Sequence, residues 1–321
     1  MFPKEYFSHP RIASFCHRTR IWRDCESIEE LSILLDRLLP NSEKKRFVTE
    51  CAILNRRESP PSIDIYSPHY PSLLKEIYDP PLVLSYLGDL TLLGNHMIAI
   101  VGTRKASKIS MLATHFLVVN LKVSDPQICI VSGMALGIDR KAFESALDCD
   151  MGVIGVLGTS IQEEYPPGNR DLYLRIKNHP KSLLLSEFIF PTEPARWTFP
   201  KRNRLISGLV TDVCIMESGK KSGTLSTAMS AISQNREIHV FDHELQFDNE
   251  GGKILLSEGA EILDWKLISE NYGRIEKPEF YSDKKEITPE EWKKIAEAER
   301  IYKRNGKKTP LGRGAYFVEF T

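Results

Sequence analysis

Four short stretches of this chain hold the residue types that bind phosphate, and each lies at the border of an apolar element. Gly102-Thr103-Arg104-Lys105 follows the run from Met97 to Val101, and Ser132-Gly133 opens a turn that ends at Gly137-Ile138-Asp139. Phe199-Pro200-Lys201-Arg202-Asn203-Arg204 places three cations at the start of an apolar helical pattern, and Ser222-Gly223-Thr224 closes a loop that carries Lys220 and Lys221. The chemistry these residues suit is non-covalent. Glycine lets the backbone approach a ligand closely, and a helix start presents unpaired N–H groups together with the positive end of its dipole. Thr103 adds a hydroxyl donor, the forks of Arg104, Arg202 and Arg204 match phosphate oxygens in pairs, and Phe199 offers a π-face to a base.

Other chemistries find little support. The eight histidines (9, 17, 69, 96, 115, 179, 239 and 243) include none beside a strand-end serine, so a serine-histidine nucleophile is not visible in sequence. Neither Gly-x-Gly-x-x-Gly nor Gly-x-x-x-x-Gly-Lys-Ser/Thr occurs, which leaves dinucleotide and P-loop readings without their motifs. Six cysteines (16, 25, 51, 129, 149 and 214) form no Cys-x-x-Cys pair and no His/Cys zinc spacing. They read as reduced thiols of a cytosolic protein with no metal site.

The elements that must position the phosphate-type residues follow a regular rhythm. Apolar runs at 97–101, 127–131, 153–157, 182–185, 212–216 and 237–241 alternate with helical patterns near 106–122, 137–147, 169–178, 200–209 and 223–235. This predicts an α/β domain with a largely parallel sheet, whose ligands bind at the carboxyl ends of the strands. Three of the four stretches lie at those ends, as do Gly158-Thr159 and Ser186-Glu187, while Phe199 to Arg204 lies at the start of the helical pattern near 200–209.

Flanking regions read differently. Residues 1–62 predict a small helical N-terminal region: Ser27-Ile-Glu-Glu30 has the form of a capping box before leucines 31, 34, 35, 38 and 39, and Phe47, Cys51 and Leu54 mark a second helix. Pro60-Pro61-Ser62 marks the boundary. Tyr70 to Gly88 predicts a short helix, a proline stop and an extended run along a sheet edge. Residues 63–265 then form the α/β domain, and 266–321 a short C-terminal appendage with a helix from Pro289 to Lys303 and an apolar end from Ala315 to Phe320.

The totals limit the partners. Lys+Arg and Asp+Glu are both 43 in 321 residues, so the net charge is zero and any phosphate affinity must come from local clustering. The N-terminus lacks a signal-type apolar segment, and nowhere do about 18 apolar residues run together. The expectation is a soluble, cytoplasmic chain without membrane contact.

Taken in order, Val101-Gly-Thr-Arg104, Ser132-Gly-x-Ala-x-Gly-Ile-Asp139, Tyr165-Pro166, Ser186-Glu187, Phe199-Pro-x-Arg-Asn-Arg204, Glu217 with Ser222-Gly-Thr-Leu-x-Thr-Ala228, and Gly259-Ala260 resemble the DNA-processing protein A (DprA/Smf) family over about residues 68–263. The resemblance implies an extended Rossmann-like domain that binds single-stranded DNA without catalysis or cofactor. It further implies that the protein hands DNA to the RecA recombinase in natural transformation or related recombination, and that it forms a homodimer. Carried over by position, the DNA contacts are Gly102 to Arg104 and Phe199 to Arg204, with Ser222-Gly223-Thr224 lining the same pocket. Two positions depart from the family pattern: Phe143 stands where histidine is usual, and Asp242-His243 where Pro-Gly is common. The second bears on the loop after the run at 237–241, and so on dimer geometry or partner docking.

Two rival readings come from other classes. Phosphoribohydrolase-type nucleotide enzymes resemble this chain in plan and use the glutamate of a Gly-Gly-x-Gly-Thr-x-x-Glu loop. Here Thr227 stands at that spacing after Gly223-Thr224, which leaves Glu217 or Glu187 as substitutes. The other rival is a non-catalytic nucleotide sensor.

Overall fold

In the computed structural model, residues 2–54 and 59–263 are described, and the expected C-terminal helix and apolar end lie outside them. The chain opens with α1 (Pro10–Thr19), α2 (Ile28–Leu38) and α3 (Asn41–Leu54). The capping box forms as its sequence requires: Ser27 Oγ accepts from the Glu30 N–H at 3.1 Å, while the Glu30 carboxylate turns back to the Glu26 N–H at 2.8 Å. The Pro60-Pro61 break leads into β1 (Ser62–Asp64), followed by α4 (Ser72–Lys75) and β2 (Val83–Gly88).

Strand and helix then alternate: β3 (Met97–Val101), α5 (Lys108–Ser124), β4 (Cys129–Ser132), α6 (Ile138–Asp148), β5 (Gly152–Val156), α7 (Arg170–Asn178) and β6 (Ser182–Ser186). They are followed by α8 (Thr198–Gly208), β7 (Asp212–Ile215), α9 (Gly223–Ser233), β8 (Glu237–Phe241), α10 (Glu250–Ser257) and β9 (Glu261–Leu263). The nine strands form one sheet in the order β1-β2-β6-β5-β4-β3-β7-β8-β9. All neighbours from β6 to β9 are parallel, and β2 runs antiparallel to both of its neighbours, β1 and β6. The α/β expectation with a largely parallel sheet therefore holds. The extended run before Gly88 is not an edge, because β1 pairs outside it. Position within a sheet depends on a distant partner, which the run itself does not encode.

The sheet is covered on both faces, as parallel strands require. Ile98 and Ile100 of β3 join Ala113, Ile138, Phe143 and Tyr173 of α5 to α7 on one face. Met97, Ala99 and Val101 face the other way, into a core that takes Leu205 and Leu209 of α8, Ala228 of α9 and Leu255 of α10. The N-terminal helices bury Ile12, Leu31 and Leu35 in that second core, so it runs unbroken from α1 to α10. Among the described residues no helix is long and apolar enough to cross a membrane.

Phe143 is fully buried between the sheet and α5, which accounts for an apolar ring at that family position. Truncation to alanine is expected to lower stability by roughly 3–5 kcal/mol, read as a reduced urea midpoint with an unchanged slope.

Candidate nucleic-acid interface

The order of strands creates the site. β3 pairs with β4 on one side and β7 on the other, so successive crossovers leave it in opposite directions and open a crevice beyond its carboxyl end. The loop after β3 crosses that crevice, held from both sides. Thr103 donates its N–H to the Glu217 carbonyl at 2.9 Å, and its own carbonyl accepts from the Ile138 N–H at 3.3 Å. The approach is close enough to demand glycine at Gly137, where φ is +77° and an added Cβ would lie 2.4 Å from the Thr103 carbonyl oxygen.

Glu217 fastens this loop from below. Its Oε2 accepts from the N–H and the hydroxyl of Ser107, at 2.8 and 2.7 Å. Its Oε1 accepts from the N–H groups of Phe247 and Asp248, at 3.2 and 3.4 Å. The carboxylate is 1 % exposed, and each oxygen holds one loop.

Across the crevice, α8 sends Arg202 into the strand ends. The side chain is buried; Nη1 donates to the Gly133 carbonyl and to the Val156 carbonyl, the latter at 2.5 Å, and Nε donates to Asn203 Oδ1 at 3.1 Å. Gly133 has to be glycine, since a Cβ there would lie 2.6 Å from the guanidinium carbon. Asp139 balances the buried charge: its Oδ2 accepts from the N–H groups of Gly133 and Ala135 at 3.1 and 3.3 Å. Burial pushes the Asp139 carboxyl up, opposed by the charge of Arg202, and pushes the Arg202 guanidinium down, opposed by Asp139.

Above this floor stand aromatic and cationic groups. The exposed Arg104 guanidinium lies 5.5 Å from the Phe199 ring centre, and Phe199 packs at 5.5 Å and 32° against Tyr165. Gly158 makes room for Phe199, because a Cβ at that position would come within 2.9 Å of the ring. Arg104, Gly133, Leu136, Tyr165, Phe199 and Arg202 line one small pocket. Beyond the 102–106 loop, Thr103, Lys105, Gly219, Lys220, Lys221 and Ser222 line an open groove, with Asp248 at its side. The loop after β3 is thus a wall shared by a stacking pocket and a lysine-lined groove.

The structure divides the expected site residues by role. Gly102, Thr103, Arg104, Lys105, Gly133 and Phe199 stand at the crevice, and Gly223 is exposed with open space where a Cβ would go. Ser132 is buried and spends its hydroxyl on the Ile100 carbonyl at 2.6 Å. Asn203 donates to the Gly223 carbonyl at 3.1 Å and ties α8 to the start of α9. Ser222 caps α9 through the Leu225 N–H at 3.3 Å, and Thr224 is buried behind it. Lys201 and Arg204 instead meet Glu187, at 3.2 and 2.6 Å, and line a cavity against the N-terminal helices. Sequence reasoning did not single out Phe247 and Asp248, which arrive from a loop with no periodic pattern. Tyr165, Lys220 and Lys221 were visible as residues, but their convergence here was not.

These features define a Rossmann-like sheet with a basic and aromatic crevice at its switch point. The chain belongs to the DNA recombination-mediator protein A family, whose model matches residues 62–272. It is 38% identical over 209 residues to DNA processing protein DprA of Bacillus subtilis, covering 63% of this chain and 67% of that one. With DprA of Streptococcus pneumoniae it shares 35% identity over 204 residues, covering 63% and 71%. The solved structure of the pneumococcal protein superposes with a TM-score of 0.62 at 33% identity, over 68% of this chain and 77% of that one. DNA processing protein A of Helicobacter pylori, solved to show its single-stranded DNA binding mode, gives 0.58 at 28% identity over 68% and 98%.

The two crevice arginines differ in consequence. Arg202→Ala strands two buried carbonyls and is expected to cost about 3 kcal/mol in chemical denaturation, with Arg202→Lys recovering only part because an ammonium cannot fork. Arg104→Ala is expected to change stability by no more than about 0.5 kcal/mol.

Proposed function

We propose that this chain binds single-stranded DNA in the crevice beyond β3 and β7, as a non-catalytic DNA-processing protein of the DprA/Smf type. The observation that carries the reading is the cluster of Arg104 over the Phe199 ring and Phe199 tilted against Tyr165, beside Lys105, Lys220 and Lys221 along the adjoining groove. Part-exposed aromatic rings accept the face of any base, and lysines follow a backbone of phosphates without reading sequence. A duplex keeps its bases stacked on one another and offers those rings no face. Family membership, and the single-stranded DNA binding mode of the Helicobacter pylori relative, support the same assignment.

The enzyme reading needs a free carboxylate beside the bound phosphate. Glu217 has both oxygens committed to loop N–H and hydroxyl donors, and Glu187 sits with Lys201 and Arg204 in the cavity against the N-terminal helices. The further properties that the family implies are part of the proposal: transfer of the strand to the RecA recombinase, a homodimer and a cytoplasmic setting. In the loop after β8, Asp242 Oδ1 accepts from Asn249 Nδ2 at 2.9 Å, so side-chain hydrogen bonding shapes the segment where relatives commonly carry Pro-Gly.

Arg104→Ala is expected to weaken binding of a fluorescent oligo-dT roughly tenfold in anisotropy, to flatten the slope of log K against log salt by about 0.7, and to leave the melting temperature in place. Unchanged affinity would remove the crevice from the account.

A further inference from the structure

The loop after β8 brings two side chains to the lysine-lined groove, and the capture of phosphates uses neither. Phe247 and Asp248 line that groove together with Lys105, Lys220 and Lys221. Phe247 is 49% exposed, a large apolar ring set among cations. The backbone beneath it is anchored, since the N–H groups of Phe247 and Asp248 both donate to Glu217 Oε1, at 3.2 and 3.4 Å.

Asp248 is out of keeping with a groove that only follows phosphates. It is exposed, and a carboxylate in that position repels a polyanion. Yet the groove is shaped to admit it: a Cβ added to Gly219, another groove residue, would lie 2.4 Å from Asp248 Oδ2. The local backbone contact of this side chain uses the other oxygen, Oδ1, which accepts from the Glu250 N–H at 3.3 Å. Oδ2, on the Gly219 side, is left to accept from a ligand.

Resting on the strand-binding reading, we propose that this loop selects one base of the strand: Phe247 takes the face of the base, and Asp248 Oδ2 accepts from its exocyclic amino group. Cytosine, adenine and guanine are thereby favoured over thymine at this position. A carboxylate only accepts, so its partner has to donate. Cytosine and adenine present amino groups, N4–H₂ and N6–H₂, and guanine its N2–H₂, whereas thymine presents O4, which a carboxylate repels. The groove, of about 420 Å³, falls within the ~300–1,000 Å³ of small-ligand sites and has room for one nucleotide, with the neighbouring phosphates left to the lysines. On the other side of the 102–106 loop, Phe199 and Tyr165 have no such carboxylate in their pocket and accept any base, which confines the selection to the groove.

Anisotropy of labelled oligo-dC and oligo-dT of equal length, titrated with the full chain, tests the assignment. The unaltered chain is expected to bind oligo-dC roughly fivefold tighter than oligo-dT. Asp248→Asn, which keeps an acceptor for the Glu250 N–H, is expected to bring the two affinities within about twofold of each other without lowering that for oligo-dT. Phe247→Ala is expected to weaken both roughly tenfold. Arg104→Ala is expected to weaken both and to keep the preference for oligo-dC. Equal affinities in the unaltered chain, a preference that persists in Asp248→Asn, or affinities unmoved in Phe247→Ala overturn the assignment. The Asp248→Asn ratio decides the matter even if Phe247→Ala loses its fold. Should the base preference fail while Arg104→Ala still weakens oligo-dT, the crevice stands and the selection alone is wrong; oligo-dT affinity unchanged in Arg104→Ala removes the crevice and this inference together.

Discussion

The site depends on one buried charge. Arg202 reaches from α8 to the carbonyl ends of β4 and β5, and its guanidinium occupies the volume that the missing side chain of Gly133 leaves free. A desolvated guanidinium is tolerable only where carbonyls and a nearby carboxylate surround it, and Val156, Gly133 and Asp139 supply these. With Arg202 fixed, the first turn of α8 has one place to go, and Phe199 is set against Tyr165 within reach of Arg104. The cation of the Phe-Pro-x-Arg-Asn-Arg motif most easily taken for a phosphate ligand thus acts first as the peg on which the stacking residues hang.

Glu217 performs the corresponding task on the other side of the crevice. By holding Ser107 with one oxygen and the 247–248 backbone with the other, it joins the loop after β3 to the loop after β8. Both loops flank the lysine-lined groove. The exposed cations of the crevice thus stand on a backbone that the buried Arg202 and Glu217 keep in place. This division also accommodates a net charge of zero: among the described residues Arg104, Lys105, Lys220 and Lys221 gather at one crevice, while Lys201 and Arg204 are paired with Glu187 and Arg202 is spent on strand-end carbonyls.

Much of this was legible in the sequence, and the parts that were not share a cause. Parallel strands buried on both faces write themselves as unbroken Ile/Val/Leu runs, so β3 to β8 and the helices between them follow from local pattern. The capping box at Ser27 is a local matter and appears where expected. By contrast, β1 and β9 are three residues each, too short for any periodicity, and the interior place of β2 depends on its pairing with β6. The same limit applies within the site. Arg104, Arg202 and Arg204 are chemically alike in sequence, yet one is exposed over a ring, one is buried under the strand ends and one faces Glu187. Which of them is available to a ligand is decided by residues far away in the chain: Gly133, Glu187 and the helices of the N-terminal region.

The central claim is that a stacking pocket and a lysine groove, built on Arg202 and Glu217, together recognise a single strand. Anisotropy of a labelled oligo-dT, set against a duplex of equal length over a salt series, addresses it most directly. The account predicts tighter binding of the single strand at every salt concentration and a linear fall of log K with log salt. Equal affinity for the duplex, or affinity indifferent to salt, would contradict it.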